Sequence, residues 1–301
     1  MAMNIRNLTG IVTATPTPIR DGKVDVDSVR DLARHLVASG AAGITPIGGT
    51  GEYVSLSLAQ KLDMVQATCE AVGGAIPTIA GLIAPGLGES LEAGKKIMEA
   101  GADGLLLITP YYLRPSQAGI IDYFKAFSDR VDADLVLYEF PYRTNVTLTP
   151  ETVRTLAETT RVVAMKACNP DNGQQLRVIE AAGDKISILS GDEDVAPMHL
   201  AAGARGGLLA SSCIIPRIWN RIDALARAGK TAEALALHVR IREFIKVLFQ
   251  EHNPGPLKAA LNLIGRPCGE PLTPLVRASD ATVAELGRLL PAMLALEASM
   301  A

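Results

Sequence analysis

The apolar positions of this chain follow two alternating rhythms. Short runs that are apolar at nearly every position read as strands buried on both faces. Eight are predicted: Gly10 to Ala14, Gly43 to Ile47, Thr78 to Gly81, Gly104 to Thr109, Asp134 to Phe140, Val162 to Ala167, Ile186 to Ser190 and Gly207 to Ser211. Between them lie segments of helical period, among them Val26 to Ser39, Ser57 to Val72, Gly88 to Ala100, Ala118 to Val131, Thr149 to Thr159 and Gly173 to Ala182. In the first of these, Val26, Val29, Leu32, Ala33 and Leu36 line one face. Thr149-Pro150-Glu151-Thr152 has an N-cap hydroxyl followed by proline at the first helical position. Eight strand–helix repeats predict an α/β fold, a closed parallel (β/α)8 barrel of the TIM type. A doubly wound open sheet is the competing architecture. It often carries a glycine-rich phosphate turn after its first strand, and here that place holds Thr15-Pro16-Thr17-Pro18.

The strands stop before the chain does. Thr231 to Phe249, Pro256 to Leu263 and Ala281 to Ala298 are strongly helical with no strand between them. They predict a C-terminal helical appendix, with a boundary at Ala228-Gly229-Lys230, where glycine supplies a helix stop. The expected division is therefore residues 1–228 for the barrel and its site, and 229–301 for the helical domain.

Composition narrows the function. The chain has 301 residues, 48% of them hydrophobic, enough for a large buried core. A net charge of -3 and the lack of a basic run argue against nucleic acid. The cysteines at 69, 168, 213 and 268 have no C-x-x-C spacing, and the histidines at 35, 199, 238 and 252 form no H-x-x-x-H pair. Neither a zinc site, a disulfide framework nor metal catalysis is expected. No cofactor is expected either. The start of the chain lacks the apolar core of a signal peptide, and no apolar stretch is long enough for a membrane span. The expectation is a soluble cytoplasmic protein.

One residue breaks the strand pattern. Lys166 ends the apolar run from Val162. Burying an ammonium group is costly, and a desolvated lysine becomes a neutral amine that attacks ketones. Read alone, it could equally sit just beyond the strand with its head in solvent. In a barrel, however, the strands' C-terminal ends carry the chemistry. The other predicted strand ends carry Gly48-Gly49-Thr50-Gly51-Glu52, a plausible carboxylate cradle, and Pro110-Tyr111-Tyr112. They also carry Tyr138, Arg143 and Ser190-Gly191-Asp192. A tyrosine there can shuttle protons, and an arginine can clamp a carboxylate. Each taken singly also fits a bland reading: a glycine turn, a packed tyrosine, a solvated arginine. Together they fit a Schiff-base enzyme acting on a 2-keto acid.

These motifs resemble those of the dihydrodipicolinate synthase and N-acetylneuraminate lyase family of class I aldolases, over essentially the whole chain. Arg143-Thr144 and Asn253-Pro254-Gly255-Pro256-Leu257-Lys258 look like the synthase branch. The resemblance implies that Lys166 forms an imine with pyruvate or another 2-keto acid. It implies that Gly49 and Thr50 hold the keto-acid carboxylate and that Tyr138 moves protons. Arg143 would receive the second substrate, and the main chain at Gly191 and Leu208 would line the pocket. Tyr112 would extend the proton relay into a neighbouring subunit, within a homotetramer built as a dimer of dimers.

The chain departs from the family pattern at several points. Gly49 stands where the synthase usually has a threonine that links two relay tyrosines. Tyr142 and Asn145 flank the Arg143-Thr144 pair, and Ala167-Cys168-Asn169 follows Lys166 where an acidic residue is often found. These changes suggest altered substrate choice on a retained imine chemistry. The favoured expectation is condensation of pyruvate with aspartate semialdehyde. The alternatives are dehydration or retro-aldol cleavage of a 2-keto-3-deoxy sugar acid, deamination of a cyclic imino acid, or a non-catalytic binding protein on the same scaffold. Of the family's lysine-effector site, Glu89 and Tyr111 remain, whereas Tyr53, Leu58, Lys61 and Pro85 differ. Lysine is not expected to inhibit, since a cationic Lys61 would repel it.

Overall fold

The computed structural model describes residues 3–300. Eight parallel strands form one sheet: β1 Gly10–Ala14, β2 Gly43–Thr45, β3 Ile79–Leu82, β4 Gly104–Ile108, β5 Leu135–Glu139, β6 Val162–Ala167, β7 Ser187–Ser190 and β8 Gly206–Leu209. They are ordered β2-β1-β8-β7-β6-β5-β4-β3. A parallel bridge between Ile44 and Thr78 joins the two outer strands and closes the ring. Close strand approach demands glycine at Gly206, where a Cβ would stand 2.0 Å from the Gly10 carbonyl oxygen.

The surrounding helices are α1 Val26–Ala38, α2 Leu58–Val72, α3 Leu87–Glu99, α4 Gln117–Ser128, α5 Pro150–Thr159, α6 Asn172–Ala182, α7 Ala196–Ala201 and α8 Pro216–Arg227. Their starts follow local chemistry. Ser57 caps α2 in a reciprocal capping box with Gln60, and Thr149 accepts from the Thr152 amide ahead of Pro150 in α5. Three more helices follow the barrel: α9 Thr231–Phe249, α10 Gly255–Leu263 and α11 Asp280–Ala298.

The sequence expectation is met for all eight strands, with shifted ends. The second stops at Thr45, because the chain turns at Pro46, whose carbonyl accepts the Gly81 amide. The last runs Gly206–Leu209, because Ser211–Cys213 winds into a short 3-10 turn. A small hairpin, Ile19–Arg20 against Lys23–Val24, lies outside the predicted pattern. No helix among the described residues is long and apolar enough to cross a membrane. The four cysteines are free thiols.

Candidate active site

Strand register assembles the centre of the site. Tyr138 on β5 pairs with Lys166 on β6, and Lys166 with Leu189 on β7. Equivalent positions on neighbouring strands share a face, so a phenol and an amine 28 positions apart in sequence meet inside the barrel. The Lys166 ammonium nitrogen lies 4.8 Å from the centroid of the Tyr138 ring, and the residue is only 9% exposed. Glycine at 191 makes room for it. A Cβ there would stand 2.2 Å from Cys168 Sγ and 2.9 Å from Lys166 Cε.

A cavity of about 320 Å³ opens above this pair. Of the residues singled out from sequence, Gly49, Thr50, Tyr138, Arg143, Lys166, Gly191 and Leu208 line it. Tyr112 does not. It sits at positive φ (71°) on a projecting turn, 89% exposed, beside the exposed Leu113.

The cradle after β2 is a tightly folded loop. Ile47 and Glu52 adopt left-handed backbone, at φ 50° and 59°. Gly51 is required, because a Cβ would lie 2.5 Å from the Ile47 nitrogen. The loop is gripped from below by Thr17, whose hydroxyl donates to the Gly51 carbonyl at 2.7 Å. Among the described residues, the amides of Gly49 and Thr50 find no acceptor, which leaves them free for an anion. The side of Gly49 is open. A Cβ there would meet only the Tyr138 hydroxyl, at 3.8 Å. Beyond it lies a second, apolar cavity of about 190 Å³, which shares Gly49, Tyr138, Phe140 and Arg143 with the first.

Arg143 is carried by the one-turn helix Pro141–Thr144, which follows β5 directly. Its guanidinium carbon lies 5.6 Å from the Phe140 ring centroid, and Phe140 stacks in turn on Tyr138. Phe140, Glu193 and Glu139 were not anticipated at the site, and Cys168 and Asn253 were named only within motifs. Cys168 donates its thiol hydrogen to the Gly191 carbonyl at 3.3 Å, and burial pushes this thiol up to about 12. Glu193 is a buried carboxylate in the cavity wall, held by the Ala210 and Ser211 amides at 2.8 and 3.2 Å. Its pKa is raised by burial, with those amides and Lys166 opposing the shift. Asn253 reaches in from the loop after α9, and its amide nitrogen donates to the Thr50 hydroxyl oxygen at 2.9 Å. Glu139 faces away from the cavity and is fully buried. Its Oε1 accepts from the Leu148 amide at 2.8 Å and from Asn169 Nδ2 at 3.3 Å. Burial lifts this carboxyl to about 7, against those two donors. Alternation along β5 is the signal that could have found Glu139: a tyrosine facing in implies an acid facing out.

Burial pushes the Tyr138 phenol well above its ordinary range, with Cys168 and Glu193 adding to the rise and Arg143 opposing it. A phenol in that state keeps its proton at neutral pH and can give it to a developing oxyanion. Among the described residues, no group of three or more His, Cys, Asp or Glu side chains could hold a metal ion.

A parallel barrel with a strand-end lysine facing a cavity, a phenol beside it and an anion cradle opposite has the layout of a lysine-dependent aldolase. Comparison with known proteins makes this specific. The family model described as the dihydrodipicolinate synthetase family matches residues 7–293. The 4-hydroxy-tetrahydrodipicolinate synthase of Anaeromyxobacter sp. (strain K) is 36% identical over 283 residues, covering 94% of this chain and 96% of that protein. The crystal structure of dihydrodipicolinate synthase from Thermotoga maritima superposes with a TM-score of 0.90 at 33% identity, covering 97% of this chain and 99% of that one. A structure described as the first monomeric dihydrodipicolinate synthase variant matches with the same TM-score and identity, over 97% of each chain. The chain belongs to the dihydrodipicolinate synthetase family and is an enzyme of the class I aldolase type.

Proposed function

We propose that this enzyme is a 4-hydroxy-tetrahydrodipicolinate synthase that condenses pyruvate with aspartate semialdehyde. The observation that carries this reading is the pairing of Lys166 with Tyr138 inside a cavity walled by Thr50 and Arg143. The lysine amine adds to C2 of pyruvate, and water leaves to give an imine. The protonated imine is an electron sink, so C3 loses a proton and becomes an enamine nucleophile. The enamine carbon bonds to the aldehyde carbon, whose oxygen takes up a proton. The amino group of the second substrate then closes the ring at C2 and displaces Lys166. Gly49 and Thr50 hold the pyruvate carboxylate, Tyr138 carries protons at the imine centre, and Arg143 takes the second carboxylate.

Tyr112 and Leu113 project from the surface as large apolar groups, which supports a face covered by a second copy, with Tyr112 completing the neighbour's site. A homotetramer in the cytoplasm goes with this reading, and light scattering on the purified protein tests the assembly. One observation favours a second reading. The open side of Gly49 leaves room for a longer keto acid, so a 2-keto-3-deoxy sugar acid is the competing substrate.

Two measurements on one preparation test the proposal. Borohydride should fix pyruvate to the wild type and not to Lys166→Ala. Turnover of pyruvate with aspartate semialdehyde should be lost in the same variant. Trapping without turnover would transfer the assignment to the sugar acid. The absence of trapping in folded protein would reject Schiff-base chemistry altogether.

A further inference from the structure

The cradle of the barrel is held from outside the barrel. Glu52, its last residue, forms a fully buried ion pair with Lys258 of α10, with Nζ 2.5 Å from Oε1. Lys258 also donates to the Glu270 carbonyl at 3.0 Å, and Glu52 Oε2 accepts the Leu272 amide at 2.5 Å. Five residues before Lys258, Asn253 Nδ2 donates to Thr50 Oγ1 at 2.9 Å, across 203 positions of chain. The helical appendix thus fastens both the middle and the end of the loop.

The polarity of the Asn253–Thr50 bond has a consequence for the ligand. A hydroxyl has one hydrogen to give. When its oxygen accepts from the asparagine amide, that hydrogen is released from Asn253 and can turn toward the cavity that Thr50 lines. The reverse orientation of the asparagine would leave both amide hydrogens without the hydroxyl oxygen as acceptor. In the orientation present Oδ1 has no partner.

We propose that Asn253 is a positioning residue for the keto-acid carboxylate: it fixes the Thr50 hydroxyl as a donor to that group, so the helical appendix takes part in substrate binding. This rests on the reading that Lys166 and the cradle take a 2-keto acid.

The test is the half-saturation of borohydride trapping by pyruvate in wild type, Asn253→Ala and Asn253→Asp. Alanine frees the hydroxyl, and half-saturation should rise roughly threefold to tenfold, the worth of one neutral hydrogen bond. Aspartate is nearly isosteric but can only accept. It turns the hydroxyl hydrogen away and faces the ligand with a like charge, so it should be worse than alanine by roughly tenfold again. The maximal trapping rate should change far less than half-saturation. If aspartate matches wild type while alanine suffers, Asn253 is a packing residue and the proposal falls. In a Thr50→Val background the Asn253→Ala penalty should vanish. A penalty that persists there also overturns it, and this arm does not need the aspartate variant to fold. Failure of the wild type to trap pyruvate would strike the Schiff-base reading instead. In that event, non-covalent pyruvate binding by Lys166→Ala protein, read by thermal shift, decides the cradle. The same order of the Asn253 variants upholds the proposal, and absence of binding or of the order rejects it.

Discussion

Replacing Glu139 by glutamine should make this protein more stable relative to wild type as the pH rises, an unusual direction for removing a charged residue. The reason lies in the packing. The carboxyl is 0% exposed and has two N–H donors on Oε1, while Oε2 is buried without a partner. Its pKa is about 7 in the fold, against an ordinary 4.5. Between those values the folded state holds the proton more tightly than the unfolded state. Stability from this group is therefore full below about pH 4.5, and is lost as pH rises toward 7. The difference between those two values corresponds to about 3.4 kcal/mol when fully expressed, and about 2.5 kcal/mol of it falls between pH 5 and 8.5. Glutamine keeps the shape and an acceptor for the Leu148 amide, but does not titrate. The assay is thermal unfolding of both proteins across pH 5 to 8.5. The midpoint of the variant should gain on wild type by about 4 °C over that range, using the unfolding entropy usual for a chain of this length. A difference that stays flat, or that shrinks as pH rises, would show that Glu139 titrates as an exposed carboxylate and refute the argument.

Three further outcomes follow from the same geometry. Lys258→Met removes the counter-ion of a buried carboxylate, Glu52, and should cost about 3–5 kcal/mol in chemical denaturation; a loss below about 1 kcal/mol would mean that water reaches Glu52. Tyr138→Phe should lower kcat about 10²- to 10⁴-fold, the usual worth of a positioned acid–base group, with little change in the unfolding midpoint; unchanged kcat would remove the phenol from the mechanism. Free lysine should not inhibit, because the Lys61 ammonium already lies over the Tyr53 ring at 3.8 Å from its centroid and would oppose a second cation; a lysine titration that suppresses turnover would overturn this.

Much of the architecture was legible because its signals are local. Strands buried on both faces must be apolar throughout, and helices must repeat near every fourth residue, so each run declares itself without its neighbours. Lys166 stood out for the same reason: a cation ending the run Val162–Ala167 violates the pattern of its own strand. The loop from Gly48 to Glu52 was legible because a turn that tight at Gly51 admits no Cβ. What the residues do to one another was not legible. Tyr138 touches Lys166 only through the register of β5 on β6, and hydrogen-bonded register is set between strands, not within them. Glu193 directly follows a recognised turn, and nothing local distinguishes it from a solvated acid until the barrel buries it among the Ala210 and Ser211 amides. Glu139 has the composition of any strand-end acid. Its pKa of about 7 comes from burial in the packed molecule, against the Leu148 amide that donates to it. Asn253 could be quoted as a motif, but its partner Thr50 is 203 residues away and is supplied by the docking of the helical appendix. Periodicity is a property of the chain, and the sequence determined the barrel and its lysine. Desolvation and contact are properties of the packed molecule, so only the tertiary structure decided which groups surround that lysine and what charge they carry.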